Sequence, residues 1–367
     1  MKLECSKSAL SEAISNVSKA VAVKSTISAL EGIKIKLSDS LLCLTGYDLD
    51  LGIKTEVPVT SSDCGEFIIN SRLINDIVRK MPEDNVIIEI NDNLAVNIKS
   101  GMTEYTVSAT SSEEYPDIPE IEECESFTVE QALLKNMISQ TSFAVATNDT
   151  KPILTGELFE IERGIFNLVA IDGYRLAVRT EKINSDKSFK FVVPGKALNE
   201  VSRLLKDEEG SCIVHVSKKH IIFETGGYNV ISRLLEGEFH NYRNSLPQIT
   251  TIEAIASTKE LISSLERTSL LINDRIKSPV KCNFNSGSLK LFCSTAIGRI
   301  SDKINIEFSG APIEIGFNNR YLLDPLKNIE DDKIKLLMNG PNLPLKIVPL
   351  SGDSFTFLVL PVRLKND

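Results

Sequence analysis

The chain has 367 residues and a net charge of −9, from 41 Lys and Arg against 50 Asp and Glu. That length asks for two or three domains, and an acidic total is a poor footprint for a reader of DNA sequence. The 42% hydrophobic and 25% charged content is that of an ordinary globular protein, and no apolar run reaches the length of a membrane span.

The seven cysteines, Cys5, Cys43, Cys64, Cys124, Cys212, Cys282 and Cys293, are scattered and form no C-x-x-C pair. A reducing cytoplasm is therefore expected, with neither a disulfide frame nor a zinc site. The opening MKLECSKSALSEA has no apolar core, so no signal peptide is expected.

Leu3–Cys5 suits a short opening strand. Over Ser8–Val21, Leu10, Ala13, Ile14, Val17 and Val21 keep the helical period. Three strand-like runs follow, Gly32–Leu37, Leu41–Thr45 and Leu51–Val59, divided by turn residues. Ile68–Met81, IINSRLINDIVRKM, leads into an amphipathic helix, and Val86–Ile90, Leu94–Ile98 and Tyr105–Ala109 are again strand-like. The acidic, proline-bearing Glu113–Ile121 reads as a linker or an edge segment.

The same order then recurs. Asn70, Pro194 and Asn318 are 124 positions apart, and basic residues follow each at matched offsets: Arg72, Lys196 and Arg320, then Arg79, Arg203 and Lys327. Seven residues is close to two helical turns, so each pair shares one helix face. In the first copy Leu73, Ile74, Ile77 and Val78 fill the other faces; in the second, Leu198, Val201, Leu204 and Leu205 do so. Ile14 matches Ile138, Gly32 matches Gly156 and Asp48 matches Asp172 at the same offset. Opening helices are expected at Val129–Phe143 and Ser257–Leu271, and the chain is expected to finish on a strand over Phe355–Leu364.

The chain thus reads as three α+β domains, 1–121, 126–247 and 250–367. Each has two helices and antiparallel strands, because the connections are too short for parallel crossovers. Repeats of this kind either stack as a solenoid or close into a ring.

Motifs of enzyme chemistry are missing. There is no phosphate loop, no dinucleotide fingerprint and no G-x-S-x-G elbow. His215, His220 and His240 stand away from any cysteine at metal spacing and read as surface or strand-edge residues, with no metal or cofactor called for. Asp48 and Asp172 recur once per repeat, which favours a turn or cap over paired-carboxylate catalysis. A basic face on one helix is ordinarily just solvated. Three at one register, set around a common axis, would instead make a positive lumen that attracts phosphates without reading bases. The closing Leu358–Leu364, LVLPVRL, reads as a last core strand or as one wall of an apolar peptide groove.

AIDGYRLAV at Ala170–Val178, FHNYRNSLP at Phe239–Pro247, GAPIEIGFNNRYLLDPL at Gly310–Leu326 and the closing LPVRL together resemble the bacterial DNA polymerase III beta subunit family, the sliding clamps. The resemblance runs through the whole chain. It implies three similar DNA-clamp domains and a head-to-tail homodimeric ring around duplex DNA, tethering the replicative polymerase without catalysis of its own. It also implies opening by a clamp loader, capture of repair proteins through a peptide pocket, no cofactor, no membrane and a bacterial cytoplasm.

Carried over by position, the resemblance places the pocket at Leu154, Ile171, Gly173, Tyr174, Arg175, Leu176, His240, Asn244, Ser245, Pro344, Leu360, Pro361, Val362, Arg363 and Leu364. It places DNA contacts at Lys24, Arg72, Asn148, Lys151 and Lys196, to which the repeated faces add Arg79, Arg203, Arg320 and Lys327. The dimer edge would join Leu73, Tyr105 and Val107 to Leu271 and Ile272. The chain departs from the family pattern at Pro152, Ile153, His240, Asn244, Ser245, Leu360 and Val362, at Met102 and Glu104 opposite Arg299 and Lys303, and in the tail Lys365–Asp367. The competing readings are a repeat-built interaction scaffold that does not encircle DNA and, with the least support, an enzyme with a site between domains.

Overall fold

Short polar side chains set where the helices begin. In this computed structural model, which describes residues 1–38, 40–119, 124–148, 150–247, 249–272 and 278–364, Ser6 Oγ accepts from Ala9 N–H and Asn70 Oδ1 from Leu73 N–H. Ser257 Oγ accepts from Glu260 N–H and Asn318 Oδ1 from Arg320 N–H. Each bond satisfies one of the amide donors that a first helical turn leaves free. Ile121 and the tail Lys365–Asp367 lie outside the described residues.

The first repeat runs β1 (Lys2–Ser6), α1 (Lys7–Val17), β2 (Gly32–Ser38), β3 (Leu41–Tyr47), β4 (Leu51–Pro58), β5 (Gly65–Asn70), α2 (Ser71–Arg79), β6 (Asn85–Ile90), β7 (Ala95–Ser100) and β8 (Thr103–Ser108). The second runs β9 (Glu125–Glu130), α3 (Gln131–Ser139), β10 (Gly156–Glu162), β11 (Ile165–Ile171), β12 (Arg175–Lys182), β13 (Phe189–Pro194), α4 (Gly195–Leu204), β14 (Ser211–Val216), β15 (His220–Thr225) and β16 (Tyr228–Arg233). The third runs β17 (Ile252–Ser257), α5 (Thr258–Ser269), β18 (Val280–Asn285), β19 (Ser288–Thr295), β20 (Gly298–Ser309), β21 (Ile313–Phe317), α6 (Asn319–Lys327), β22 (Lys333–Met338), β23 (Leu345–Pro349) and β24 (Phe355–Val359).

Three expectations are corrected. The helix placed at Val129–Phe143 starts two residues later, because β9 claims Val129 and Glu130 by pairing them with Cys212 and Ser211. The α-helix expected to reach Val21 stops at Val17 and tightens into a 3-10 turn over Ser18–Ala20. The closing strand ends at Val359, and Leu360–Leu364 leaves it.

Two compact units result. One comprises Met1–Lys135 and Lys196–Leu234, with a four-stranded sheet, β1-β6-β7-β8, and an eight-stranded sheet, β5-β2-β3-β4-β16-β15-β14-β9. In it α1 turns Leu10, Ala13, Ile14 and Val17 inward, and α2 buries Ile74, Ile77 and Val78 while Arg72 and Arg79 stay exposed. The other comprises Asn136–Gly195 and Leu235–Asp367 and holds a twelve-stranded sheet, β13-β10-β11-β12-β24-β23-β22-β17-β20-β19-β18-β21. Its core sets Leu261 and Leu265 of α5 and Leu322 and Leu326 of α6 on Phe284, Phe317, Phe355 and Phe357.

The middle repeat is shared between the units. Its β16 pairs with β4 of the first repeat, and its β12 pairs with β24 of the third. Pairing one repeat's edge with the next leaves fewer unpaired edges to recruit other strands.

Each repeat also closes in the same way. The segment leaving it hydrogen-bonds to the strand that precedes the basic helix, at one repeating position. Thr110 exchanges two backbone bonds with Ile68, Leu235 N–H donates to Val192 O, and Val362 N–H donates to Gly316 O. Gly32 and Gly156 share a steric reason for being glycine: a Cβ there would lie 2.9 Å from Ile69 O or 2.4 Å from Val193 O.

Candidate peptide pocket and basic helix faces

In the second unit a cavity of about 480 Å³ opens beside β11 and β12. A 3-10 turn over Pro152–Thr155 brings Ile153 and Leu154 to it, and the ends of β11 and β12 bring Ile171 and Leu176. Beneath lies a core of Leu158, Val169, Val178, Val192, Phe239, Tyr242 and Leu358.

The β11–β12 turn is built by Asp172. Its Oδ1 accepts from the backbone N–H groups of Tyr174 and Arg175 at 2.9 and 3.0 Å, and Gly173 takes φ +89°, where side-chain-bearing residues are strained. Asp48 Oδ1 does the same for Asp50 and Leu51 one repeat earlier, so the recurrent aspartates are turn residues.

Arg175 is largely committed. Its Nε donates to Asp172 Oδ2 at 3.0 Å and its Nη1 to Asp324 Oδ2 at 2.5 Å, with the guanidinium 4.7 Å from the Tyr321 ring. Tyr321 stacks in turn on the exposed Tyr174 ring at 5.5 Å. Arg175 therefore forms a rigid wall of the cavity and ties β12 to α6, rather than standing free beside a ligand.

The segment Phe239–Ser245 is held down by Glu160. Tyr242 Oη donates to its Oε2 at 2.9 Å, and Arg243 donates to both carboxylate oxygens at 2.6 and 3.1 Å. Burial would raise this carboxyl's pKa, but the bonds from Arg243 and Tyr242 outweigh it and hold the group below the usual carboxylate range. His240 Nε2 lies 3.2 Å from Ser245 Oγ at the rim, so this histidine lines the cavity, whereas His215 pairs with Glu224 on neighbouring strands.

Of the residues expected at the pocket, Leu154, Ile171, Gly173, Tyr174, Arg175, Leu176, His240, Ser245, Pro344 and Leu360 line this cavity. Asn244, Pro361, Val362, Arg363 and Leu364 do not. Val362 is drawn to Gly316 by its backbone bond and lines a neighbouring cavity of about 600 Å³ with Asn318, Arg320 and Tyr321. Leu364 packs over Gly316. Lys151, Ile153, Glu238 and Leu358 complete the lining. Lys151, an expected DNA contact, is exposed and stands at the entry to the Pro152 turn, where it also reaches the pocket rim.

The other expected DNA contacts, Lys24, Arg72, Arg79, Asn148, Lys196, Arg203, Arg320 and Lys327, are all exposed. Several are paired: Lys196 Nζ with Asp48 Oδ2, Arg79 with Asp76, Arg203 with Glu200, and Lys327 with Glu266. At the expected dimer edges, Leu73 and Tyr105 are exposed, and Val107, Leu271 and Ile272 are half-buried. Among the described residues no group of three His, Cys, Asp or Glu side chains could hold a metal ion. No helix of the described residues is long and apolar enough to cross a membrane.

Three repeats of one α+β unit, with basic helices and an apolar pocket, are the features of the class of sliding clamps. The comparisons agree along the whole chain. Residues 1–119, 128–241 and 243–363 match the family models for the N-terminal, central and C-terminal domains of the DNA polymerase III beta subunit. The Beta sliding clamp of Bacillus subtilis is 33% identical over 99% of this chain and 100% of its own length. The crystal structure of the sliding clamp from that organism covers 100% of both chains with a TM-score of 0.95. A DnaN sliding clamp from Pseudomonas aeruginosa, solved bound to griselimycin, is 27% identical, covers 99% of this chain and 100% of its own, and has a TM-score of 0.93. The chain belongs to the DNA polymerase III beta subunit family. It is a non-catalytic processivity factor, and its family forms dimeric rings that bind DNA, polymerase and further clamp-binding partners.

Proposed function

We propose that three surfaces carry out this role, in three domains spanning 1–121, 126–247 and 250–367. The first is the set of basic helix faces and neighbouring loops, with Lys24, Arg72, Arg79, Asn148, Lys151, Lys196, Arg203, Arg320 and Lys327 meeting the phosphates of an encircled duplex. Contact through phosphate alone carries no sequence information, which suits a ring that must move along any DNA. The second is the cavity at Leu154, Ile171, Leu176 and Leu360, which takes a short apolar peptide from the replicative polymerase, the clamp loader or repair proteins. The third is the dimer edge, Leu73, Tyr105 and Val107 against Leu271 and Ile272 of a second copy. The work is done in the bacterial cytoplasm.

The observation that carries this reading is the collinear likeness to sliding clamps over the full chain. The scaffold alternative has no comparable support. The test is retention on DNA of different topology. The protein is loaded on nicked circular DNA with its loader and ATP, washed in high salt, and the circle is then cut once. Retention on circles and loss from cut ends is the expected result. Loss from circles and lines alike in high salt would overturn encirclement.

A further inference from the structure

The basic helix faces carry a second periodic feature, of opposite sign. Asp76, Glu200 and Asp324 are also 124 positions apart. Each lies four residues after the first cation of its face and three before the second, giving Arg72-Asp76-Arg79, Lys196-Glu200-Arg203 and Arg320-Asp324-Lys327. On a helix these spacings put the acid next to both cations. In each face one of the two cations meets the acid, while Lys196 pairs with Asp48 and Lys327 with Glu266 instead. Arg79 lies 3.7 Å from Asp76 Oδ1. Arg203 Nη1 donates to both oxygens of Glu200 at 2.8 and 2.9 Å. Arg320 lies 3.6 Å from Asp324, whose nearer bond goes to Arg175.

One such pair would be ordinary surface chemistry and contributes little to stability. What sets these apart is their position between the cations that face the duplex. We propose that the acid in each basic face is a rival of DNA phosphate, holding the neighbouring cation so that the ring's grip stays weak enough to slide. This rests on the reading that the basic faces meet DNA. A cation already neutralised by a carboxylate must break that bond to accept a phosphate. Each paired cation therefore adds less net attraction, and less salt dependence, than a free one. The rivalry is graded: tight at Glu200, looser at Asp76, and shared with the pocket at Asp324. Asp324 is left out of the test, because its loss also frees Arg175.

The test measures equilibrium binding of the full-length protein to linear duplex DNA across a range of NaCl concentrations. Glu200→Gln is expected to steepen the slope of log K against log salt by about 0.9 for each phosphate newly engaged. Asp76→Asn should do the same by less, and its exposed site keeps the test open if Glu200→Gln lowers the melting temperature. Arg203→Gln should flatten the slope, and Asp92→Asn, on the exposed β6–β7 turn, should leave it unchanged. If Arg203→Gln flattens the slope while both acid variants match the wild type, the rivalry is overturned and the DNA face stands. If no variant moves the slope, the DNA face itself falls. A change with Asp92→Asn as large as with Glu200→Gln would reduce the effect to net charge and also overturn the proposal.

Discussion

In the first repeat Leu30 and Tyr47 are buried, and a Cβ on Gly52 would stand 3.2 Å from Ile118 Cδ1. At the matched positions of the second repeat stand Leu154, Ile171 and Leu176, and these line an open cavity. The frame is the same: an aspartate turn, a 3-10 turn and an exit segment that returns to the sheet. The difference is where the exit segment lies. Tyr115 and Ile118 pack on Leu30 and Tyr47 and fill the first groove. The residues matching them, Phe239 and Tyr242, sink into the core below the second groove, where Tyr242 Oη bonds to Glu160. The first repeat has Lys36 at the position of Glu160, which cannot accept that bond. The pocket thus arises by uncovering a groove common to both repeats.

The largest predicted effect concerns a second polar exchange. Glu157 and Thr141 are fully buried in the second repeat, where the first has Ile33 and Val17. Thr141 Oγ1 donates to Glu157 Oε2, and Oε1 has no hydrogen-bond partner among the described residues. Burial lifts this carboxyl from 4.5 to about 8, with the Thr141 bond opposing it only in part. Between these values the folded chain holds a proton that the unfolded chain has released. The contribution of Glu157 to stability should therefore be full below pH 4.5 and fall as pH rises towards 8, by up to about 1.4 kcal/mol per pH unit. Urea titrations over this range check the slope. Glu157→Ile with Thr141→Val, the first repeat's pair, should flatten it and stabilise the fold at pH 8. An unchanged slope would remove Glu157 as its source.

Next comes the groove itself. Leu360→Asp puts a charge on the pocket wall and should weaken binding of a labelled apolar peptide at least about 30-fold, the loss typical of a central anchor. Leu49→Asp, on the exposed turn of the closed repeat, should leave peptide affinity unchanged in the same anisotropy assay. Equal losses would break the contrast between the grooves. Gly52→Leu gives the first repeat the second repeat's residue. The new side chain meets Ile118 and Tyr47 at contact distance, so overpacking should cost about 1–3 kcal/mol in chemical denaturation. No loss would mean that the exit segment yields easily and that the first groove is only loosely closed.

The sequence displays what short-range chemistry controls. The 124-residue period, the aspartate turns and the basic faces depend on neighbours within a few residues, and all are visible in it. Non-local backbone pairing is not. ESFTVE, residues 125–130, alternates buried and exposed at Phe127 and Val129, a strand signal that the following helical period obscured. The bonds at Ile68, Val192 and Gly316 join segments far apart in sequence, and the last of them takes Val362 away from the main cavity. The residue-by-residue pocket set lacks Lys151, which is placed on DNA instead, and Glu238 and Leu358, for different reasons. Leu358 reads as an ordinary core residue within its strand, and the two charged residues reach the rim only through the turns that carry them.

The smallest effect separates the two exit segments by what seats them. Tyr115 Oη donates to Thr45 O at 3.2 Å, a bond between neutral groups, while Tyr242 Oη donates to a carboxylate. Charge-assisted bonds are roughly twice as strong as neutral ones. Tyr115→Phe should therefore cost about 1 kcal/mol in chemical denaturation, and Tyr242→Phe about twice that. In the first repeat the ring and Ile118 keep their apolar contacts without the hydroxyl, so the groove stays filled. In the second, losing the hydroxyl leaves Glu160 to Arg243 and Lys190 and frees Tyr242 to move towards the groove. Peptide affinity should then fall with Tyr242→Phe and stay constant with Tyr115→Phe. Equal costs and unchanged affinity in both variants would mean that apolar packing alone seats both segments, and that the carboxylate of Glu160 does not hold the second groove open.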